Sequence, residues 1–396
     1  MINIAILGFG VVGSGTAEVL TENKKIIEER LGCEYKIKYI LDLRDFPQSP
    51  FASLITHDFN DILNDPEVSV VAEMMGGSHP AYDFTKACLE AGKNVVTSNK
   101  EVVSTFGVEL CSIAKAHGVR YLFEASVGGG IPVIRPMIND LSSNKINNIN
   151  GILNGTTNYI LTSMRKDGAS FEDALKEAQR LGYAEANPSA DVDGIDAARK
   201  IVILTALASG KLADPKTIPT FGITSITLDD TKIAELFGCS IKLIGHSTVS
   251  DGKITAFVSP RMVLSSNPLS TIDDVFNGIL VSANMVGDVM FYGPGAGKLP
   301  TASAVVADII DIIANRNTDV KPIVWKEAEA GDINDFGEYS CRRVFITKSA
   351  TDLVCGVTKE ADGIFGLLTD EELTEIVAND IAEKLGDDLI SVYRVL

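Results

Sequence analysis

Ile2-Asn-Ile-Ala-Ile-Leu7-Gly8-Phe9-Gly10-Val11-Val12-Gly13 is the stretch on which the fold turns. Its first six residues are mostly apolar and rich in isoleucine, the composition of a buried strand. Beyond them Val12, Thr16, Val19 and Leu20 fall at helical spacing. Strand, glycine turn and helix thus follow one another directly. In such a unit Gly8 permits the tight turn, Gly10 lets backbone amides approach a pyrophosphate, and Gly13 lets helix and strand pack closely. The helix N-terminus adds a positive dipole. A lone GxGxxG says little, but one between a strand and a helix at the start of a chain reads as a dinucleotide-binding turn. The other reading is a purely structural turn.

Working outward, a second strand from Tyr35 to Leu43 carries Asp42-Leu-Arg44-Asp45 at its end. An acid there can hold the ribose hydroxyls of NAD, and an arginine can hold the 2′-phosphate of NADP. Register decides between them, and the reading leans to NADP through Arg44. Val68 to Met75 reads as another buried strand, followed by Gly76-Gly77. Tyr82 to Ala91 is helical in pattern, and Asn94 to Thr97 is a short strand with Ser98-Asn99-Lys100 at its carboxyl end. Ligands of open α/β sheets bind at that end of the strands. By position alone, Lys100 is otherwise a solvated loop residue.

Three later segments carry polar chemistry. Glu124-Ala-Ser-Val-Gly-Gly-Gly-Ile131-Pro132 puts a carboxylate before a carbonyl-rich turn, which suits a hard cation or a hinge between domains. Asn154-Gly-Thr-Thr157-Asn158 runs from a strand into a helix and offers caps and free amides. Ala178 to Lys200 places the acids Glu185, Asp191, Asp193 and Asp196 before an apolar helix. Asp196 and Lys200 are four apart and share a helix face. That pair can be ordinary helix stabilisation, or a lysine placed to protonate an oxygen. A second glycine-rich loop, Tyr292-Gly-Pro-Gly-Ala-Gly297, feeds the helical Ala304 to Ile313. It reads as a loop closing on the cofactor or as a linker.

Bulk properties bound the class. A chain of 396 residues suits two or three domains. A formal net charge of −18 argues against nucleic-acid binding. The six cysteines form no CxxC and have only four histidines to join them, which points away from zinc and disulfides and toward a reducing, cytoplasmic setting. A strand-like pattern from Ile2 leaves no room for a signal peptide, and no apolar run reaches the ~18 residues of a membrane span.

With these residues in hand, the chain closely resembles the homoserine dehydrogenase family over roughly residues 1 to 320. The family pattern Ala-x3-Gly-aromatic-small-x2-Asn-Pro-x2-Asp-aliphatic-x-Gly-x-Asp-x3-Lys is met at every position from Ala178 to Lys200. Val96-Thr-Ser-Asn-Lys100, Asn154-Gly-Thr-Thr-Asn-Tyr-Ile160, Gly293-Pro-Gly-Ala-Gly297 and Pro300 to Asp308 match further family segments. The resemblance implies NAD(P)-linked interconversion of L-homoserine and L-aspartate 4-semialdehyde, on the way to threonine and methionine. It makes Lys200 and Lys100 the catalytic candidates, with Asp196 orienting. An ordinary lysine titrates near ~10.4, so it enters the reduction protonated and suited to act as an acid. It implies Glu185 and Asp191 for the substrate ammonium group, with Thr157, Gly182 and Tyr183 contacting the rest. Cofactor contacts would come from Gly8 to Gly13, Arg44, Gly76, Gly77, Ser98, Lys100 and Gly297. Glu124 and the carbonyls of Val127, Gly129 and Ile131 would hold a monovalent cation such as sodium. A homodimer or homotetramer is implied.

The expected architecture is α/β. A Rossmann domain spans 1–130 plus about 301–320, an α+β substrate and dimerisation domain with an open mixed sheet spans 131–300, and a small accessory domain spans 335–396. The tail departs from the βαββαβ regulatory module of many relatives. Arg343–Thr347, Leu353–Thr358, Ile364–Leu368 and Leu389–Leu396 read as strands, with a helix capped from Thr369 and running to Lys384. With no Pro-Gly loop, feedback by threonine is not expected, and packing, oligomerisation or regulation remain as roles for the tail.

Overall fold

The structure, a computed structural model, describes residues 1–396. Strands in chain order are β1 (Ile2–Leu7), β2 (Tyr35–Leu41), β3 (Ile55–Thr56), β4 (Val68–Glu73), β5 (Asn94–Thr97), β6 (Tyr121–Leu122), β7 (Ile146–Ile152) and β8 (Lys211–Leu212). They continue with β9 (Cys239–Ser250), β10 (Lys253–Leu264), β11 (Phe276–Ala283), β12 (Gly287–Pro294), β13 (Lys326–Glu327) and β14 (Ser340–Cys341). The last are β15 (Arg343–Thr347), β16 (Gly356–Ala361), β17 (Ile364–Thr369), β18 (Leu373–Thr374) and β19 (Leu389–Val395). The chain forms two compact units. One is 1–143 with 210–214 and 293–327, and the other is 144–209, 215–292 and 328–396.

The first unit carries a parallel sheet in the order β3-β2-β1-β4-β5-β6. This is the doubly wound order, and it reverses direction between β1 and β4, where such sheets bind ligands. Leu7 pairs with Leu41 on one side and with Glu73 on the other, and Glu73 pairs with Thr97. One row of residues therefore closes the carboxyl ends of four strands. The helix Lys298–Ala314 belongs to this unit. Its Ala304, Val305, Ile309 and Ile312 join Ile4, Ile6, Ala17 and Leu20 in one core. Gly15 makes that packing possible, because a side chain there would meet Lys298 and Ala302 at 2.9 to 3.2 Å.

The second unit is built on a mixed sheet of nine strands in the order β12-β11-β7-β9-β10-β19-β15-β17-β16. The long hairpin β9–β10 lies at its middle, and Ile152, Ile244, Val263, Leu269 and Leu280 pack together there. The tail differs here from the expected separate accessory domain. β19 pairs with β10 through Arg261–Arg394 and Met262–Val395, so β15, β16, β17 and β19 lengthen the same sheet, while β14 and β18 pair with each other. The reason is pairing. β10 offers a free edge, and a terminal strand with alternating apolar residues fills it. The tail helix is also shorter than its sequence suggests. Thr369 ends β17, and the helix Glu375–Leu385 starts from Thr374, whose hydroxyl accepts from the Val377 amide. The second tail strand begins at Gly356, not Leu353.

Candidate active site

In the first unit, β1 delivers the chain to the helix Val11–Glu22, whose N-cap is Gly10 with no side chain filling the cap. Gly8 holds φ at 89°, and a Cβ there would meet the Met74 carbonyl at 2.9 Å. A Cβ on Gly13 would strike the Gly8 carbonyl at 1.9 Å. Gly10 differs from both, since a Cβ there would meet nothing within 4 Å and would stand in open space at the head of the helix. Uncapped amides facing open space fit the pyrophosphate of a dinucleotide. Val11 is exposed, Val12 half-buried, and the Phe9 ring is buried against Phe46 and Phe51.

Asp42 and Arg44 form an ion pair. β2 ends at Leu41, so both lie in the loop. The Asp42 carboxylate accepts from the Phe9 amide at 2.8 Å and takes Arg44 in a fork, Nε at 3.0 Å and Nη2 at 3.0 Å. The Arg44 guanidinium, with the Arg44 and Phe9 amides, holds the Asp42 carboxyl down at about 2. Asp42 faces inward and fastens the glycine turn, while Arg44 lies outward over the Phe46 ring.

At the ends of β4 and β5, Gly76 and Gly77 have φ of 78° and 68°, with open space where a side chain would stand. Ser98 donates its amide to the Glu73 carbonyl, and Lys100 is the first residue of the helix Lys100–His117, capped by Asn99. Gly297, at φ 123°, is the uncapped N-cap of Lys298–Ala314. Glu124 has an occupation that its sequence did not suggest. Its two oxygens accept from the amides of Val133, Ile134 and Arg135 at 2.6 to 2.8 Å. That carboxylate braces the turn. A cavity of about 730 Å³ lined by Arg120, Tyr121, Arg135 and Asp308 also lies in this unit, along β6 rather than at the glycine turn.

In the second unit, three segments meet on one residue. Asn154 caps the helix Gly155–Asp167 by accepting from the Thr157 amide at 2.9 Å. Its Nδ2 donates to Asp191 at 2.6 Å and to Asp196 at 3.0 Å. Lys200 Nζ donates to Asp196 at 2.8 Å and to the Leu153 carbonyl at 2.7 Å. Asp196 and Lys200 are both buried, 6 % and 8 % exposed. Thr157 is buried too, and its hydroxyl turns back onto Asn154. The Gly182-Tyr183 turn is tied in when Thr156 donates to the Tyr183 carbonyl at 2.6 Å, with the Tyr183 ring edge-on to Tyr159. Glu185 is exposed on the next turn. The sequence marks Asn154 as a cap at a strand-to-helix junction but not its bonds to Asp191 and Asp196, which one amide can donate while its oxygen caps.

Comparison with known proteins agrees with this geometry. Residues 8–124 match the NAD-binding domain of homoserine dehydrogenase, and residues 132–310 match the homoserine dehydrogenase family. The homoserine dehydrogenase of Lactococcus lactis is 41% identical over 79% of this chain and 74% of that protein. The solved homoserine dehydrogenase of Thiobacillus denitrificans superposes with a TM-score of 0.91 at 33% identity, covering 100% of this chain and 98% of that one. A hyperthermophilic archaeal homoserine dehydrogenase mutant, solved in complex with NADPH, has a TM-score of 0.68 at 29% identity, over 81% of this chain and 99% of that one. A turn shaped for a dinucleotide, a buried lysine–aspartate pair and this likeness together place the chain among the homoserine dehydrogenases, NAD(P)-dependent oxidoreductases.

Proposed function

We propose that the chain interconverts L-homoserine and L-aspartate 4-semialdehyde in threonine and methionine biosynthesis, with Lys200 as general acid and base. The observation that carries this reading is the buried Asp196–Lys200 pair anchored on Asn154. A bound nicotinamide supplies or takes the hydride. Lys200 has three N–H groups, of which Asp196 and the Leu153 carbonyl hold two. The third is available to the substrate side-chain oxygen. In the reductive direction it donates a proton to the developing alkoxide, and its charge stabilises that oxygen beforehand. In the oxidative direction the neutral amine takes the proton back. Asp196 keeps Lys200 aimed, and Asn154 keeps Asp196 in place. Asp191 and Glu185 take the substrate ammonium, with the Gly182-Tyr183 turn and Thr157 shaping the wall. Lys100 is the second lysine candidate.

The first unit holds the cofactor through the turn Gly8 to Gly13, with Gly76, Gly77, Ser98 and Gly297. We favour NADP, because Arg44 is exposed and already oriented by Asp42. The carbonyls of Val127, Gly129 and Ile131 hold sodium, with Glu124 shaping their turn. The enzyme works in the cytoplasm as a dimer or tetramer. No helix is long and apolar enough to cross a membrane.

The test is the appearance of reduced cofactor when purified protein meets L-homoserine at alkaline pH, with NAD and NADP in separate runs. A rise, faster with NADP, is the expected result. A rise with L-aspartate or L-alanine but not with L-homoserine would overturn the substrate.

A further inference from the structure

Glu73 has no part in the chemistry above, yet it is fully buried at the carboxyl end of β4. The residues before it, Val68-Ser-Val-Val-Ala, are those of a parallel strand covered on both faces. Packing alone would be served by another valine, and a buried carboxylate is costly unless its oxygens are hydrogen-bonded. Here they are. Oε2 accepts from the Thr97 hydroxyl at 2.6 Å and Oε1 from the Met75 amide at 2.7 Å. Burial pushes the carboxyl up, and Thr97, Met75 and the Asn99 side chain pull it back.

Its place in the sheet makes these bonds consequential. Glu73 lies in the row Leu7, Glu73, Thr97 that closes β1, β4 and β5. The next residues on those strands are Gly8, Met74 and Ser98, the first of the three ligand-facing turns. Met74 donates its amide to the Leu7 carbonyl at 2.8 Å, and Asn99 donates its amide to Thr97 Oγ1 at 2.9 Å. Asn99 Nδ2 then reaches the Gly77 carbonyl at 2.7 Å while its Oδ1 caps the helix that begins at Lys100. The Met75–Gly77 turn and the Ser98–Lys100 turn are thus tied to each other by way of one carboxylate and one hydroxyl.

We propose that Glu73 is a positioning residue for the reaction: acting with Thr97 and Asn99, it locks the two turns into one conformation and so fixes where Lys100 and the adjoining cofactor-facing backbone stand. This rests on the dehydrogenase reading above. The glycine turn at Gly8–Gly13 and Arg44 keep their own bonds to Leu41 and Asp42 when these are lost, so cofactor affinity should fall less than turnover does.

The test uses Thr97→Val, which removes the hydroxyl at nearly constant volume, beside Glu73→Gln and the rescuing Thr97→Ser. Amide exchange of the cofactor-free protein should quicken by at least about tenfold at residues 74–77 and 98–102 in Thr97→Val, with the rest of the sheet unchanged. Turnover of L-homoserine should fall about 10- to 100-fold, the scale of a misplacement near one ångström. The cofactor dissociation constant should rise by a smaller factor than turnover falls, and Thr97→Ser should recover both exchange and turnover. Unaltered exchange and turnover in Thr97→Val would overturn the proposal, as would a loss confined to cofactor affinity. If wild-type protein left L-homoserine untouched, the dehydrogenase reading would fall, and exchange would still decide whether Glu73 holds the turns.

Discussion

Asp42–Arg44 and Asp196–Lys200 are both acid–base pairs between near neighbours in the chain, and they do opposite things. The Arg44 side chain is 65% exposed, whereas that of Lys200 is 10% exposed; the two aspartate side chains are each 9% exposed. An exposed pair is worth ~0–1 kcal/mol, so Arg44 can leave Asp42 for a phosphate at little cost. A buried pair costs ~3–5 kcal/mol to break by removing one partner, so Lys200 stays where Asp196, Asn154 and Leu153 put it. The first pair suits a grip that must change hands. The second suits a proton donor that must not move.

The largest expected effect tests the fixed pair. Lys200→Ala should lower turnover by at least ~100-fold, as loss of a general acid does. Cofactor affinity measured in the same variant should hold. Full activity would make Asp196–Lys200 a structural pair after all and pass the catalytic role to Lys100. Asp196→Ala sharpens the contrast by leaving the buried ammonium without its carboxylate. Chemical denaturation should show a loss of ~3–5 kcal/mol, a cost that no change at Asp42 approaches.

A smaller effect is expected at the exposed pair. Arg44→Ser removes the charge proposed to meet the 2′-phosphate, a charge-assisted contact of ~1.5–3 kcal/mol. The Michaelis constant for NADP should rise ~10- to 100-fold, since each 1.4 kcal/mol is tenfold. With NAD it should hold or fall, because the freed Asp42 can turn to ribose hydroxyls. Equal losses with both cofactors would mean that Arg44 only braces the loop.

The two sites also differ in how much of each the sequence discloses. The glycine turn is local, so strand, turn and helix can be read from adjacent residues, and Gly8 and Gly13 sit where a side chain would clash while Gly10 faces open space. The lysine site is assembled from residues 154, 191, 196 and 200. Its acids and lysine stand out by type, while Asn154 is legible only as a cap, because its other two partners lie 37 and 42 residues on. Glu124 is half legible in the same way, since its place before a glycine run is visible, but only the fold brings the amides of 133–135 onto its side chain. In the tail, strand positions are legible from alternation, but pairing is not. Whether β19 closes a separate domain or joins β10 depends on an edge more than a hundred residues earlier.

The smallest effect separates charge from position within the exposed pair. Asp42 is held at about 2, first by the Arg44 guanidinium and then by backbone amides. A carboxyl whose folded value lies below its unfolded ~3.9 adds stability above that value and loses it as pH falls toward the folded one. Arg44 is largely exposed, so solvent screening keeps the charge contribution below ~1 kcal/mol. Asp42→Asn should therefore be slightly less stable than wild type near about pH 6, and the gap should narrow toward about pH 3, where the wild-type carboxyl begins to lose its charge advantage. Denaturation midpoints of the two proteins at both pH values make the comparison. A gap that does not change with pH would show that Asp42 holds the Phe9 amide and Arg44 by geometry alone. The contrast with Asp196 would then rest on burial and not on charge.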